Sequence, residues 1–196
     1  TIPLEAIRER LDNIHQHGIK NVRVLDRTFN YNNKRAKELL HLFREYAPDI
    51  CFHLEIHPAL LSEELKEELA ILPNGLLHLE AGIQSLREPV LEKSRRIGKL
   101  SDALQGLKYL CSLKNMETHA DLIAGLPLYH LSEIFEDVRT LAEYGAGEIQ
   151  LESLKLLPGT EMRRRAEELG IQYSPLPPYE VLQTKEISVE ELQTAH

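Results

Sequence analysis

Residues 51–57 read CFHLEIH, a strict alternation of apolar and polar side chains. Side chains of a β-strand point alternately to opposite faces, so the three apolar residues after Cys51 share one face, and Glu55 shares the other with the two histidines. Strands of a parallel sheet that is covered by helices on both sides are apolar on both faces. The alternation therefore predicts a strand with one polar face.

Similar β-rich stretches follow at Leu76–Ile83, Glu117–Ala124 and Glu148–Leu154, and one precedes them at Val22–Asp26. Polar side chains recur at every second position in the three later stretches. Asp26, at the end of the first stretch, either contacts a substrate or caps the following turn. The candidate residues for substrate binding on these strands are Asp26, His53, His57, His78, Glu80, His119 and Glu152.

Amphipathic helical patterns separate the predicted strands, which is typical of parallel βα units. They cover Pro3–His17, Lys34–Tyr46, Ser62–Leu72, Ser101–Leu113, Leu131–Tyr144 and Thr160–Leu169. Ser62 and Ser101 are expected to act as N-caps, and Gly170 is expected to end the last helix. Each buried polar group without a partner costs about 1 to 3 kcal/mol, so the polar face should line a lumen with water or a polar ligand. The pattern predicts an α/β fold, a partial TIM-type (β/α) barrel with about five parallel strands.

Composition limits the function classes. The 196 residues, 42% of them hydrophobic, suffice for one domain with a sizeable core. A net charge of -8 argues against an extended nucleic-acid surface. No apolar stretch reaches the roughly 20 residues of a membrane span, and no leader pattern is present, so a cytoplasmic protein is expected. Cys51 and Cys111 lie far apart and are expected to be ordinary buried thiols.

Two segments are expected along the chain. Residues 1–170 form the partial barrel core, and residues 171–196 form a proline-rich C-terminal extension that contains SPLPP at 174–178. The last residues, 189–196, form a short helix or fray. Because the first residue is Thr1 and not methionine, the chain is expected to begin inside a longer protein.

Four motifs resemble the radical S-adenosylmethionine (SAM) superfamily, in particular the branch that includes oxygen-independent coproporphyrinogen III oxidase. They are LEIHP at 54–58, GIQS at 82–85, SRR at 94–96 and DLIAGLP at 121–127. Three further stretches are similar to the cobalamin-binding subgroup, which includes magnesium-protoporphyrin IX monomethyl ester oxidative cyclases. They are DRTFN at 26–30, LLPGT at 156–160 and PPYE at 177–180.

The resemblance implies a SAM-binding site. By motif position, Arg96 would pair with the methionine carboxylate of SAM, and Glu55 and Gln84 would contact its amino acid or ribose part. Asp121 would lie beside the ribose and adenine, and the backbone at Leu157 would border the base. Simpler interpretations stay open. Glu55 could balance nearby histidines, Arg96 could be a solvated charge at a helix end, and each histidine could be an ordinary hydrogen-bonded interior residue.

The resemblance also implies cofactors that this chain does not complete. The family holds its [4Fe–4S] cluster with three closely spaced cysteines after the first barrel strand, and Cys51 and Cys111 cannot replace them. The chain is therefore expected to contain strands two to six, to have no metal ligands of its own, and to be inactive alone with no cofactor bound. The parent protein is expected to be an oxidoreductase or cyclase-like enzyme that uses SAM, the cluster and, as one option, cobalamin.

The expected partner is a small-molecule substrate, with no nucleic acid and no membrane, and the exposed sheet edge favours a dimer. Two alternatives stay open. The histidines, with Glu55 or Asp121, could bind a divalent ion in a metal-dependent barrel hydrolase. The chain could also be a binding domain without catalysis.

Overall fold

The structure is a computed structural model, and it describes residues 2–96 and 98–195. Within these residues the helices are α1 (Leu4–Gln16), α2 (Asn33–Arg44), α3 (Glu63–Ala70), α4 (Glu88–Lys93), α5 (Leu100–Ser112), α6 (Leu131–Glu143), α7 (Glu161–Arg164), α8 (Ala166–Leu169) and α9 (Val189–Ala195). The strands are β1 (Asn21–Arg23), β2 (Cys51–Ile56), β3 (Leu77–Gln84), β4 (Glu117–Ala124), β5 (Glu148–Ser153), β6 (Gln172–Tyr173) and β7 (Val181–Gln183). None of the described helices combines the length and the hydropathy needed to cross a membrane.

Five of the strands form one sheet in the order β1-β2-β3-β4-β5, so each strand lies beside its neighbour in the chain. β1 pairs with β2, and β2 with β3, in parallel. A doubly wound sheet would reverse its strand order at a switch point, whereas sequential order with intervening helices is that of a (β/α) barrel. The predicted fold class, an α/β partial barrel of five parallel strands, is confirmed.

The chain divides into two compact units. The first consists of residues up to Gly82 together with Ser101–His119. Its core contains Phe52, whose ring stacks on Phe43 of α2 with centroids 4.1 Å apart. Burial alternates along β2 and β3 as the sequence predicts, because the apolar side chains pack inside and the polar ones face the opposite side. Ser62 caps α3 as expected, since its side chain accepts a hydrogen bond from the Leu65 N–H.

The second unit consists of Ile83–Leu100 and the residues from Ala120 onward. Most of its buried apolar residues form one cluster, comprising Val90, Ala124, Leu126, Tyr129, Ile134, Leu156, Ala166, Leu169, Ile171, Val181, Ile187 and Leu192. Residues from the expected C-terminal extension therefore share a core with β4 and α6. The proposed division into domains at residue 170 stays a prediction.

Several predicted bounds are wrong. Ser101 lies inside α5, which begins at Leu100, so it is not the N-cap. The helix predicted at Thr160–Leu169 is split into α7 and α8 because Arg165, with φ -99° and ψ 10°, leaves the helical conformation. β1 ends at Arg23, before the predicted Asp26, because the chain turns there and the Asp26 N–H donates to the Val24 carbonyl at 2.9 Å.

The C-terminal extension contains regular structure that the sequence did not predict. β6 and β7 pair in antiparallel fashion around the proline-rich segment. The short helix expected near the C-terminus is present as α9, and His196 lies outside the described residues. Gly170 ends α8 in the left-handed conformation with φ 68°, as expected for a C-terminal glycine.

Candidate functional site

The polar faces of β1, β2 and β3 meet in rows across the first unit. Arg23 of β1 is in register with His53 of β2, which is in register with His78 of β3. In the next row Glu55 is in register with Glu80. The strand alternation predicted from the sequence therefore does bring several of the candidate side chains together.

Glu80 lies at the centre of this cluster. One of its carboxylate oxygens, Oε2, lies 2.5 Å from Arg23 Nη2 and 2.9 Å from His53 Nε2. The same oxygen is 3.8 Å from His119 Nε2. The Glu80 side chain is only 17% exposed, so water solvates its negative charge poorly. The cationic and N–H partners stabilise that charge in place of water.

Three histidines surround that carboxylate. His78 Nε2 and His119 Nδ1 are 2.9 Å apart, which requires one of the two nitrogens to carry a proton and the other to accept it. The rings of His53 and His78 stack with centroids 4.6 Å apart, and His119 meets both rings edge-on. His78 Nδ1 lies 3.5 Å from a Glu117 oxygen. These contacts make one connected polar network.

Arg23 is a member of this network that the sequence did not identify. Its guanidinium lies between two carboxylates, 3.6 Å from Glu55 and in direct contact with Glu80. The balancing charge for Glu55 is therefore a guanidinium, whereas the simpler interpretation named histidines. β1 has only three residues, too few to show an alternation of polar and apolar side chains. Arg23 could have been found only by asking which residue of β1 pairs with His53 of β2.

Replacing Arg23 should destabilise the first unit moderately. We expect Arg23→Gln to lower the free energy of unfolding by about 1 to 2 kcal/mol, because two neighbouring carboxylates lose their shared cation while the site stays open to solvent on one side. Urea denaturation measures this change. Arg10→Gln, an exposed arginine on α1, is the control and should change stability by less than about 0.5 kcal/mol. Equal values for the two variants would contradict the prediction.

Two predicted residues of the first unit have local structural contacts. His57 is buried, and its Nδ1 accepts a hydrogen bond from the Ala59 N–H at 3.3 Å, while its backbone N–H donates to Asn30 at 2.9 Å. Asp26 is exposed, and its carboxylate accepts the Thr28 N–H at 3.3 Å. The geometry of Asp26 is that of a turn cap.

The SAM-site candidates are distributed over both units. Glu55 belongs to the first unit, and Gln84, Arg96, Asp121 and Leu157 belong to the second. Gln84 is the last residue of β3 and has φ 72°, which is uncommon for a residue with a side chain. Such strained positions are concentrated at binding sites.

The remaining candidates of the second unit differ in exposure. Arg96 is half-buried, and burial lowers its guanidinium pKa from the usual value. Asp121 is half-buried on β4. Leu157 is 46% exposed. Glu152, on β5, is held by Gln150 Nε2 at 2.5 Å and by Lys155 Nζ at 3.2 Å.

A buried carboxylate on α6, Asp137, fixes the loop directly after Gln84. Asp137 accepts the Leu86 N–H at 2.7 Å, the Tyr129 hydroxyl at 2.6 Å and the Arg87 Nε at 2.9 Å. It is only 1% exposed. The pKa of Tyr129 is raised, mainly by burial and next by its hydrogen bond to Asp137. The phenol therefore stays protonated and donates that hydrogen bond. Sequence reasoning missed Asp137, although it lies on the apolar stripe of α6 with Ile134.

The turn after β4 requires its glycine. Gly125 has φ 88°, and a Cβ atom there would lie 3.3 Å from Val181 Cγ1 and 3.6 Å from Leu154 Cβ. Residues with side chains rarely adopt this conformation. The motif at 121–127 is thus explained in part by backbone geometry and close packing.

The two cysteines do not fit an iron–sulfur cluster. Cys51 on β2 and Cys111 on α5 are both half-buried free thiols, and a [4Fe–4S] cluster takes three or four cysteines. Burial raises the pKa of both thiols, and the Glu117 carboxylate adds to the rise at Cys51. Both side chains are therefore protonated at neutral pH, which disfavours metal ligation.

The fold and the polar strand faces define a partial (β/α) barrel with one polar face. A family model described as "Radical SAM superfamily" matches residues 1–147, and the chain belongs to this superfamily. No curated protein matches the chain. The family assignment gives no support to the metal-dependent hydrolase alternative.

Three solved structures, two of them described as radical SAM enzymes, share this fold at low sequence identity. TsrM from Kitasatospora setae, a radical SAM methyltransferase solved with cobalamin and a [4Fe–4S] cluster, has a TM-score of 0.71 and 20% identity over 96% of this chain and 37% of its own. Coproporphyrinogen III oxidase (HemN) from Escherichia coli has a TM-score of 0.54 and 16% identity over 87% of this chain and 48% of its own. SuiB from Streptococcus suis has a TM-score of 0.65 and 14% identity over 86% of this chain and 40% of its own. The chain thus spans less than half the length of these proteins.

Proposed function

We propose that this chain is the SAM-binding core of a radical enzyme. The observation that carries the proposal is the family match, which covers residues 1–147 and thus includes Glu55, Gln84, Arg96 and Asp121. SAM offers a carboxylate, an ammonium, ribose hydroxyls and an adenine, so its site needs a cation, hydrogen-bond acceptors and backbone contacts. The candidates supply each of these groups.

Arg96 is assigned to the methionine carboxylate. A guanidinium presents a planar fork of N–H donors that matches a carboxylate, and it keeps its charge even where burial lowers its pKa. Its neighbour Arg95 is exposed and already paired with Glu161, with 2.6 Å between Nη1 and Oε2. Of the two arginines, only Arg96 therefore combines partial burial with the motif position.

The acceptors are assigned to the rest of SAM. Glu55 and Gln84 receive the ammonium or ribose groups, and Asp121 receives the ribose hydroxyls beside the adenine. The backbone at Leu157, a residue that is partly exposed, borders the base. The network around Asp137 holds the loop after Gln84 in place and so restricts where the Gln84 side chain can point.

The proposal extends to the reaction of the whole protein. When bound, a reduced [4Fe–4S] cluster supplies the electron for cleaving SAM, and we propose that its cysteines lie outside these 196 residues. This chain alone should then be inactive. The similarity to TsrM supports cobalamin as a further cofactor and methyl transfer as one outcome. The stretches that resemble oxidative cyclases favour an oxidoreductase or cyclase-like reaction on a small molecule. A cytoplasmic location and a dimer through the β1 edge of the sheet stay predictions.

The test uses the full-length gene product, prepared without oxygen. We expect iron and sulfide in the purified protein, SAM binding by titration calorimetry, and 5′-deoxyadenosine on addition of dithionite. Arg96→Gln should weaken SAM binding by about tenfold to a hundredfold, because the carboxylate loses a charge-assisted, two-point contact.

Arg95→Gln is the matched control and should leave SAM affinity unchanged. If both arginine variants bind SAM as well as the unmodified protein does, Arg96 is not the carboxylate ligand. A protein that neither binds nor cleaves SAM would overturn the proposal as a whole.

A further inference from the structure

His53, His78 and His119 form a cluster in the first unit that the SAM proposal does not use. They lie near the beginnings of their strands, His53 third in β2, His78 second in β3 and His119 third in β4. Barrel enzymes keep their reacting groups at the opposite, carboxyl ends of the strands. The cluster therefore needs an explanation of its own.

The positions of the ring nitrogens suit a metal ion. One nitrogen from each of the three histidines lies within 4.8 Å of the other two. Zinc–nitrogen bonds of about 2.0 to 2.1 Å place tetrahedral ligand atoms about 3.3 Å apart. The His78–His119 nitrogens, now 2.9 Å apart, need to separate by only about 0.4 Å to reach that geometry.

The surrounding charges favour a cation. Glu80 lies beside His53 and His119, and Glu117 lies 3.5 Å from His78 Nδ1. In many zinc sites a carboxylate contacts one ring nitrogen of a histidine and so orients the other ring nitrogen toward the metal. Glu55, Glu80 and Glu117 are three carboxylates near the cluster, and among the residues that the structure describes the guanidinium of Arg23 contacts two of them.

We propose that His53, His78 and His119 bind one divalent zinc ion. Imidazole suits zinc and related transition ions, and three histidines leave a fourth position for water. The ion would join three neighbouring strands, β2, β3 and β4, at their beginnings. The nitrogen that now carries the hydrogen between His78 and His119 must lose it to ligate, and a tautomer shift moves that hydrogen to the other nitrogen of the same ring, which faces Glu117 in His78 or Glu80 in His119.

The experiment measures zinc in the full-length gene product after equilibrium dialysis against buffered zinc. The unmodified protein should retain one zinc ion per chain more than His78→Gln does, and X-ray absorption at the zinc K-edge should show nitrogen ligands with the outer-shell scattering of imidazole. His41→Gln, an exposed histidine on α2, is the control for surface binding and should retain the full amount.

His53→Gln is a second variant in case His78→Gln fails to fold, and far-ultraviolet circular dichroism identifies which variants are folded. Equal zinc content in the unmodified protein and in a folded variant would overturn the proposal, as would a zinc spectrum with sulfur ligands only. The zinc measurement requires neither SAM nor an intact cluster, so its failure and the failure of the proposed function are distinguishable.

Discussion

Asp137→Ala should lower the free energy of unfolding by about 3 to 5 kcal/mol. Asp137 is buried, and it accepts hydrogen bonds from the Leu86 N–H, the Tyr129 hydroxyl and the Arg87 guanidinium at 2.6 to 2.9 Å. Removing one partner of a buried, charge-assisted network leaves the others without compensation, which is among the costliest single changes. Urea denaturation monitored by circular dichroism gives the value.

Two further variants separate the contribution of the buried Asp137 charge from the contributions of side-chain size and of an exposed neighbouring carboxylate. Asp137→Asn keeps the size and one acceptor oxygen, so its cost should be smaller, about 2 kcal/mol. Glu136→Gln is the matched control, because Glu136 is the adjacent residue and also contacts Arg87, at 2.7 Å, but its side chain is 59% exposed. Its effect should stay below about 1 kcal/mol. An Asp137→Ala protein as stable as Glu136→Gln would show that the network adds no stability.

Asp137 also links stability to the site. The loop that it holds follows Gln84, so the alanine variant should weaken SAM binding in addition to lowering stability, whereas Glu136→Gln should not. A variant that loses stability but binds SAM with unchanged affinity would assign Asp137 a purely structural role.

The strands were predictable because their pattern is dictated by burial. Phe52, Leu54 and Ile56 face the core while His53 and Glu55 face the polar side, and this two-residue period is visible without knowing any tertiary contact. The same reasoning found His78, Glu80 and His119, which the structure brings together. One-sided polarity also distinguished the barrel from a doubly wound sheet.

The missed residues depend on contacts between distant parts of the chain. Arg23 lies on a strand of three residues, and its partner Glu80 is 57 positions later. Asp137 has no motif of its own, and its partners come from the loop after β3 and from Tyr129. The split between α7 and α8 depends on the conformation of the single residue Arg165. Local periodicity carries no information about such contacts.

Gly106 is the second position at which a small change should have a large effect. It lies in the middle of α5, where glycine costs about 1 kcal/mol relative to alanine, so helix propensity alone predicts that Gly106→Ala stabilises. A Cβ atom at this position would clash with the Pro58 carbonyl oxygen and would lie 2.8 Å from its carbonyl carbon. Both contacts are to backbone, so no side-chain rotation can relieve them.

Gly106→Ala should therefore lower the free energy of unfolding by about 2 to 3 kcal/mol, because α5 must move by about 1 Å away from Pro58 and so loosen the packing of its neighbours Leu107 and Leu110. Thermal and urea denaturation measure the change. Gln105→Ala, at the adjacent exposed position of the same helix, should alter stability by less than about 0.5 kcal/mol. Helix propensity and packing predict opposite signs for this change. A more stable Gly106→Ala protein would contradict the packing argument. A destabilised one would confirm that the close approach of α5 to Pro58, and not chain flexibility, is the reason for the glycine.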